Sequence, residues 1–170
     1  MSHHFHWKSP RHLLSSASDP SHGMHVLGWQ EFAGLPELGL ERVLTKLDSG
    51  AAHSVLHVLE AEVRKRAGKE WVRFSVDTGI GDGRDACILE APLHSIKRIQ
   101  SSSGHITVRP AIETTLYLAG YRWTIALSLT DRSTMQFPLL LGRSALSGRC
   151  LVDSSRTHLA SGSNAYRASR

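Results

Sequence analysis

Apolar residues occur along this chain in short runs, several of which alternate with polar residues, and the runs end at glycine, proline, aspartate or serine. Runs of this length and period are typical of β-strands separated by turns. The pattern predicts strands at residues 26–29, 32–33, 40–47, 54–63, 71–76, 86–91, 106–112, 115–118 and 123–129, with a turn at 35–39. The sequence therefore predicts a small all-β domain.

One late segment departs from this alternation. Residues 137–141 form a mainly apolar run that is followed at once by Gly142 and Arg143. The segment predicts a buried strand, a corner at the Gly-Arg pair and then one short helix at 144–146. This helix is the only one that the pattern predicts.

The two ends of the chain show no hydrophobic period. Residues 1–24 are rich in His, Ser and Pro, and residues 155–170 have a similar character. We therefore expect a disordered arm and a disordered tail on either side of a domain at 25–154. The arm contains His3, His4 and His6, a cluster that binds transition-metal ions adventitiously, and we expect no dedicated metal site there.

Length and charge exclude several classes of protein. At 170 residues the chain fits one domain and is too short for a two-lobed enzyme. Since no apolar run could span a bilayer and no secretory signal is visible, we expect a cytoplasmic protein without a membrane partner. The net charge is +5, but the basic residues are scattered, so no nucleic-acid partner is expected. Cys87 and Cys150 lack the spacing of a metal knuckle or a disulfide framework.

Asp48 is the candidate for chemistry. The predicted strand at 40–47 leads directly into it, and the small residues Ser49, Gly50 and Ala51 follow. Burial at the end of a core strand would raise the pKa of this carboxyl, and a second carboxyl nearby would let the two share a proton and activate water. An Asx-turn is the alternative explanation of Asp-Ser-Gly taken alone.

The order of these segments resembles the retropepsins, the single-domain aspartic proteases. An apolar strand leads to Asp-Ser-Gly-Ala, a second apolar strand follows, and Leu-Leu-Leu-Gly-Arg comes much later, before a short helix. The resemblance implies a small closed or semi-closed β-barrel, with Asp48 as the catalytic carboxylate and a second copy of the chain supplying the other. It also implies that Leu141, Gly142 and Arg143 support the loop formed by Ser49, Gly50 and Ala51.

The chain is more narrowly similar to a bacterial retropepsin-like family that carries the label ATP-dependent zinc protease. The matching stretches are residues 28–31, 35–39, 46–51, 54–57, 104–105, 109–110, 129–132, 135, 137–138 and 141–146. The resemblance implies a protein or peptide substrate and a functional link to ATP-grasp ligases of the ribosomal-protein glutamylation type. A non-catalytic binding module and a metal-dependent peptidase remain as alternatives.

The two cofactors in that label leave no mark in the sequence. No Gly-x4-Gly-Lys-Ser/Thr loop and no His-Glu-x-x-His motif is present. His53 and His57 have the zinc spacing, but on a strand residues four apart stand about 13 Å from each other, too far to bind one ion. We therefore predict no cofactor and no metal.

Other residues leave more than one interpretation open. Asp77 begins a second candidate tripeptide, Asp-Thr-Gly, but it follows Asp48 too closely for a second lobe, and we favour a loop or the flap over a substrate. Either 77–85 or 101–105 is the candidate flap over a substrate. His105 and Arg109 share one face of a strand and are possible substrate-binding residues.

Arg143 lacks its usual family partner. Retroviral enzymes usually carry an acid two residues beyond the glycine of the catalytic tripeptide, and this chain has Ala52 there. Arg143 therefore binds Asp131 or a substrate carboxylate, or it has a structural role such as capping the helix.

Overall fold

The computed structural model describes residues 24–77, 86–100, 106–131 and 136–160. Almost all regular structure in these ranges is β-strand, which confirms the all-β prediction. The strands are β1 (His25–Leu35), β2 (Leu40–Leu47), β3 (Ser54–His57), β4 (Glu60–Arg66), β5 (Lys69–Asp77), β6 (Ala86–Pro92), β7 (Ser95–Gln100), β8 (Ile106–Leu118), β9 (Tyr121–Thr130), β10 (Leu139–Leu141) and β11 (Cys150–Thr157). A 3-10 turn spans Pro36–Leu38, and the short helix α1 spans Arg143–Leu146.

The larger of two sheets closes on itself. Its strands follow the order β11-β1-β2-β10-β3-β9-β8-β7, and Gly34 of β1 also pairs with Tyr117 of β8. This pairing joins β1, β2, β10, β3, β9 and β8 into a ring. Two further strands extend the sheet outside the ring, β11 paired with β1 and β7 paired with β8. The ring is the predicted barrel. The smaller sheet is an antiparallel meander in the order β4-β5-β6.

Both sheets contribute side chains to one hydrophobic core. Alternate residues of β9, namely Ile125, Leu127 and Leu129, are buried, as period-2 alternation requires. Val72, Phe74 and Val76 of β5 belong to the same buried cluster, so the meander packs against the barrel. No helix in the described ranges has the length and apolar character to cross a membrane.

Some predicted strand boundaries differ from the structure. The predicted strand at 54–63 is two strands, because β3 pairs with β9 and β10 whereas β4 pairs with β5 in the other sheet. The predicted strands at 106–112 and 115–118 are one strand, because Glu113 and Thr114 keep their pairing with β9. The strands β7 and β11 were not predicted, since both are mostly polar or charged.

The end of the domain extends beyond residue 154. The strand β11 pairs in parallel with β1 and continues to Thr157. Beyond it, the backbone N–H groups of Leu159 and Ala160 donate to the carboxylate of Glu31, whose side chain is fully buried in β1. The boundary predicted at 154 therefore falls inside a strand. The arm predicted at 1–24 lies outside the described residues except for Met24, and so does the tail from 161 onward.

Candidate active site

Asp48 opens a surface loop, residues 48–53, that joins β2 to β3. Its backbone N–H donates to the carbonyl oxygen of Leu141 at 2.8 Å, which continues the parallel pairing of β2 with β10. Its carbonyl accepts the N–H of Ala51 at 3.2 Å, and its Oδ1 accepts the N–H of Gly50 at 3.0 Å. The side chain is 25% exposed. The backbone is thus fixed to the barrel while the carboxylate reaches the surface.

Gly142 packs directly beneath this loop. Its N–H donates to Oγ of the buried Ser54 at 3.1 Å. A Cβ atom at this position would lie 2.5 Å from the carbonyl oxygen of His53 and 2.9 Å from that of Ala51. Only glycine allows so close an approach of two backbones. The structure therefore brings the Leu141-Gly142 segment and the Asp48 loop together, as the resemblance implied.

Arg143 binds the loop backbone. Its Nη1 donates to the carbonyl oxygens of Ser49 and Gly50, each at 3.0 Å, and its backbone N–H donates to Ala51 at 2.9 Å. Asp131, one of its predicted partners, lies instead near His57, with 3.9 Å between Oδ1 and Nδ1. The carbonyl oxygens of Ser49 and Gly50 thus accept the hydrogen bonds of the guanidinium, in place of the acid that Ala52 cannot supply.

Lys46 makes the main electrostatic contact of Asp48. Its Nζ lies 2.9 Å from Oδ2. This hydrogen bond, together with that from Gly50, holds the pKa of Asp48 below its ordinary value, against the opposing effect of burial. Burial at the end of a core strand predicts a raised pKa for Asp48, and for the single chain that direction is wrong, because the carboxyl is only partly buried and accepts hydrogen bonds from Lys46 and Gly50.

The other predicted residues lie elsewhere. Arg109 is on β8, opposite Lys97 of β7, and its Nε is buried without a hydrogen-bond partner among the described residues. His105 and the candidate flap 101–105 lie outside those residues, as does 78–85 of the other candidate. Asp77 ends β5 in the smaller sheet. The part of the chain that the structure describes contains no group of three or more His, Cys, Asp or Glu placed to hold a metal ion.

Two residues of the site, Lys46 and Ser54, were not predicted from the sequence. Lys46 carried a signal that could have been used, because residues two apart on a strand share a face, which places it beside Asp48. Ser54 carried none, since its contact with Gly142 joins residues 88 positions apart.

A family model places the chain among known proteins. The RimB-like model, described as retropepsin-like aspartic endopeptidase RimB, matches residues 26–162. The chain belongs to the RimB-like family. The retropepsin-like assignment made from the Asp48 and Gly142-Arg143 motifs is thereby confirmed.

Curated relatives of this RimB-like chain carry a different name. It is 33% identical over 132 residues to a probable alpha-L-glutamate ligase of Shewanella halifaxensis, covering 78% of this chain and 29% of the relative. It is 35% identical over 128 residues to a protein of the same name from Desulfotalea psychrophila, covering 75% and 28%. The chain therefore spans less than a third of the length of these relatives.

A solved structure supports the same fold. A Legionella pneumophila protein of unknown function, Lpg0085, superposes with a TM-score of 0.66 at 26% identity. The match covers 80% of the RimB-like chain and 98% of the other protein.

Proposed function

We propose that this RimB-like chain is an aspartic peptidase that hydrolyses peptide bonds with a water activated by two copies of Asp48, one from each chain of a homodimer. The observation that carries the proposal is the position of Asp48. Its carboxylate stands partly exposed on a loop whose backbone is hydrogen-bonded by Leu141 and Arg143 and packs against Gly142. A carboxylate held in this way needs little reorganisation before it acts on a substrate.

In the proposed reaction one carboxylate takes a proton from the water while the oxygen of the water attacks the peptide carbonyl carbon. The partner carboxyl, protonated, donates to the carbonyl oxygen, and the proton gained from water then passes to the leaving amine. Ser49 follows Asp48 in the loop and is exposed, and in this proposal its hydroxyl orients the carboxylates by a hydrogen bond. The N–H and C=O of Gly50 are both engaged, by Asp48 and Arg143, so their role is to shape the loop.

Two features support a second chain as the source of the other carboxylate. Ser49, Gly50 and Ala52 of the loop are exposed, as is Arg143 beside them, so the site lies on an open surface. Asp77, the other candidate within the chain, ends a strand of the smaller sheet, which makes it a poor partner for Asp48. A two-fold dimer with Asp48 at its axis supplies both carboxylates from one gene product.

The test is peptide cleavage by the full chain across mildly acidic to neutral pH, using a mixed peptide library. Wild type, Asp48→Asn and the matched control Asp77→Asn are compared, and wild type is also assayed with a chelator. We expect Asp48→Asn to abolish cleavage, and Asp77→Asn and the chelator to leave it intact. Loss of cleavage only with the chelator would favour the metallopeptidase, and activity in Asp48→Asn would overturn the proposal.

A narrower substrate class is suggested by the relatives named probable alpha-L-glutamate ligase. A peptidase domain related to part of a glutamate ligase would act on the kind of product that such a ligase makes, so we propose acidic protein tails as substrates and an ATP-grasp ligase as a functional partner. The test compares the cleavage rates of peptides that end in glutamate runs with those of matched peptides that end in glutamine runs. Faster cleavage of the glutamate set is expected for an enzyme specific for acidic tails, and equal cleavage for a general endopeptidase. Equal cleavage of the two sets would refute the narrower proposal alone.

A further inference from the structure

The two oxygens of Asp48 are held by donors of different kinds. Oδ1 accepts the backbone N–H of Gly50 at 3.0 Å, a donor that belongs to the same short loop and moves only with it. Oδ2 accepts Nζ of Lys46 at 2.9 Å. The lysine side chain is 38% exposed and has a flexible four-carbon stem. Of the two bonds, that to Oδ2 is the one that can open without a change in the loop.

The geometry of β2 explains why Lys46 reaches this oxygen. Residues 46 and 48 are two apart at the end of an extended strand, so their side chains leave on the same face. Lys46 is also paired on both sides, with Gln30 of β1 and Leu140 of β10. Its backbone is therefore inside the sheet, and only the side chain is free to move.

Other charged groups around the loop are directed elsewhere. The strand β10 consists of three leucines, and the guanidinium of Arg143 in α1 is bound to the carbonyl oxygens of Ser49 and Gly50. His53 is the other titratable residue of the loop, and its side chain is exposed. Among the described residues, the charged group within hydrogen-bond distance of the carboxylate is thus the ammonium of Lys46.

We infer that Lys46 is a positioning residue of this site: its ammonium favours the charged form of Asp48, and because its bond to Oδ2 can open, Oδ2 rather than Oδ1 is the oxygen that can meet the water and the second carboxyl. The inference rests on the proposed function. A dyad works only while its two carboxyls share one proton. A neighbouring ammonium disfavours the protonated form and so lowers the pKa at which the dyad loses that proton. The peptidase should therefore lose activity, as pH rises, at a lower pH than it would without Lys46.

The first test is the pH profile of kcat/KM for wild type, Lys46→Met and Lys46→Arg. Methionine keeps an apolar stem without the charge, and arginine keeps the charge. We expect the upper limb of the profile to move to higher pH in Lys46→Met and to stay near that of wild type in Lys46→Arg. The control Lys69→Met removes one exposed charge at the start of β5 and should leave the profile in place.

The second test does not depend on activity. The carboxyl carbon of Asp48 is titrated by carbon-13 NMR in the full-length protein, its signal being assigned by its loss in Asp48→Asn. We expect its midpoint to rise in Lys46→Met and to remain low in Lys46→Arg. An unchanged midpoint in Lys46→Met overturns the inference whether or not the protein cleaves peptides, whereas persistent cleavage by Asp48→Asn overturns the proposed function and leaves the titration to decide the role of Lys46.

Discussion

Gly142 and His53 approach so closely that a Cβ atom on Gly142 would lie 2.5 Å from the His53 carbonyl oxygen and 2.7 Å from its carbonyl carbon. These residues are 89 positions apart, and their contact joins the end of β10 to the end of the Asp48 loop. Since both contact groups are backbone, neither can turn away as a side-chain tip would. The position of the loop is therefore tied to the absence of a side chain at 142.

Gly142→Ala should destabilise the fold and reduce any peptidase activity. The added methyl must displace the loop or β10, and overpacking of this kind costs about 1–3 kcal/mol. Urea denaturation measures the free energy of unfolding, and a fall in kcat/KM reports that Asp48 has been displaced from its working position. Gly120→Ala is the control, because a Cβ there meets nothing within 4 Å and the only penalty is its positive φ of 86°. Equal activity losses in both variants would contradict this account.

Arg143→Met should loosen the loop more than it unfolds the protein. The substitution removes two charge-assisted bonds to the carbonyl oxygens of Ser49 and Gly50, at an exposed site where the stability cost is about 1 kcal/mol. Misplacement of the carboxylate should lower kcat/KM by about 100-fold. Arg143→Lys should restore part of it. Arg149→Met loses a 3.4 Å contact with Ser147 and a cation–π contact with Trp123, neither of which involves the loop, and it should keep the activity of wild type. Full activity in Arg143→Met would refute the role assigned to this guanidinium.

Glu31→Leu should release the segment after β11. The Glu31 carboxylate accepts the backbone N–H groups of Gly28, Leu159 and Ala160, and leucine leaves all three without this acceptor. We expect a loss of about 2–3 kcal/mol in the free energy of unfolding and faster amide hydrogen exchange at residues 159–160. Glu31→Gln keeps one acceptor oxygen, so its free energy of unfolding and its exchange rates should lie between those of wild type and Glu31→Leu.

The control for this prediction is Glu60→Gln, since Glu60 is exposed on β4 and distant in sequence from the segment. Exchange at 159–160 that is the same in wild type and Glu31→Leu would show that the parallel pairing of β11 with β1 holds the segment without the carboxylate.

Asp153 should add stability that depends on pH. The hydroxyl of Ser155, followed by the guanidinium of Arg156, lowers the pKa of Asp153 to about 2. A carboxyl whose pKa is depressed in the folded state stabilises the protein above its unfolded pKa, and the effect is lost as pH falls through the folded pKa. The stability difference between wild type and Asp153→Asn should therefore be constant above about pH 5 and shrink as pH falls toward 2.

Urea midpoints, measured from pH 7 down to the lowest pH at which wild type still folds, check this dependence. The stability difference between wild type and Ser155→Ala should be smaller than that between wild type and Asp153→Asn and should follow the same trend with pH. The substitution removes the largest cause of the lowered pKa and leaves Arg156 in place. A difference that does not vary with pH would mean that Asp153 acts through packing or turn geometry.

The strand β2 shows how far local sequence can be used. Its predicted limits, 40–47, agree with the structure, because a turn containing Gly39 precedes it and the Asp-Ser-Gly loop follows it. By contrast, the run at 54–63 has one apolar pattern but is divided between two sheets. The pattern gives burial and period, and it carries no information about which strand lies alongside.

The sequence by itself determined that the chain is an all-β protein of the retropepsin type, because strand period, turn residues and the Asp48 and Gly142-Arg143 motifs are properties of neighbouring residues. Only the tertiary structure decided what those residues contact. Arg143 binds carbonyl oxygens of the loop, Lys46 takes Oδ2 of Asp48, and Glu31 accepts N–H groups 128 and 129 positions away. Such contacts depend on strand order and register across the closed sheet, which are set by the packing of the whole core.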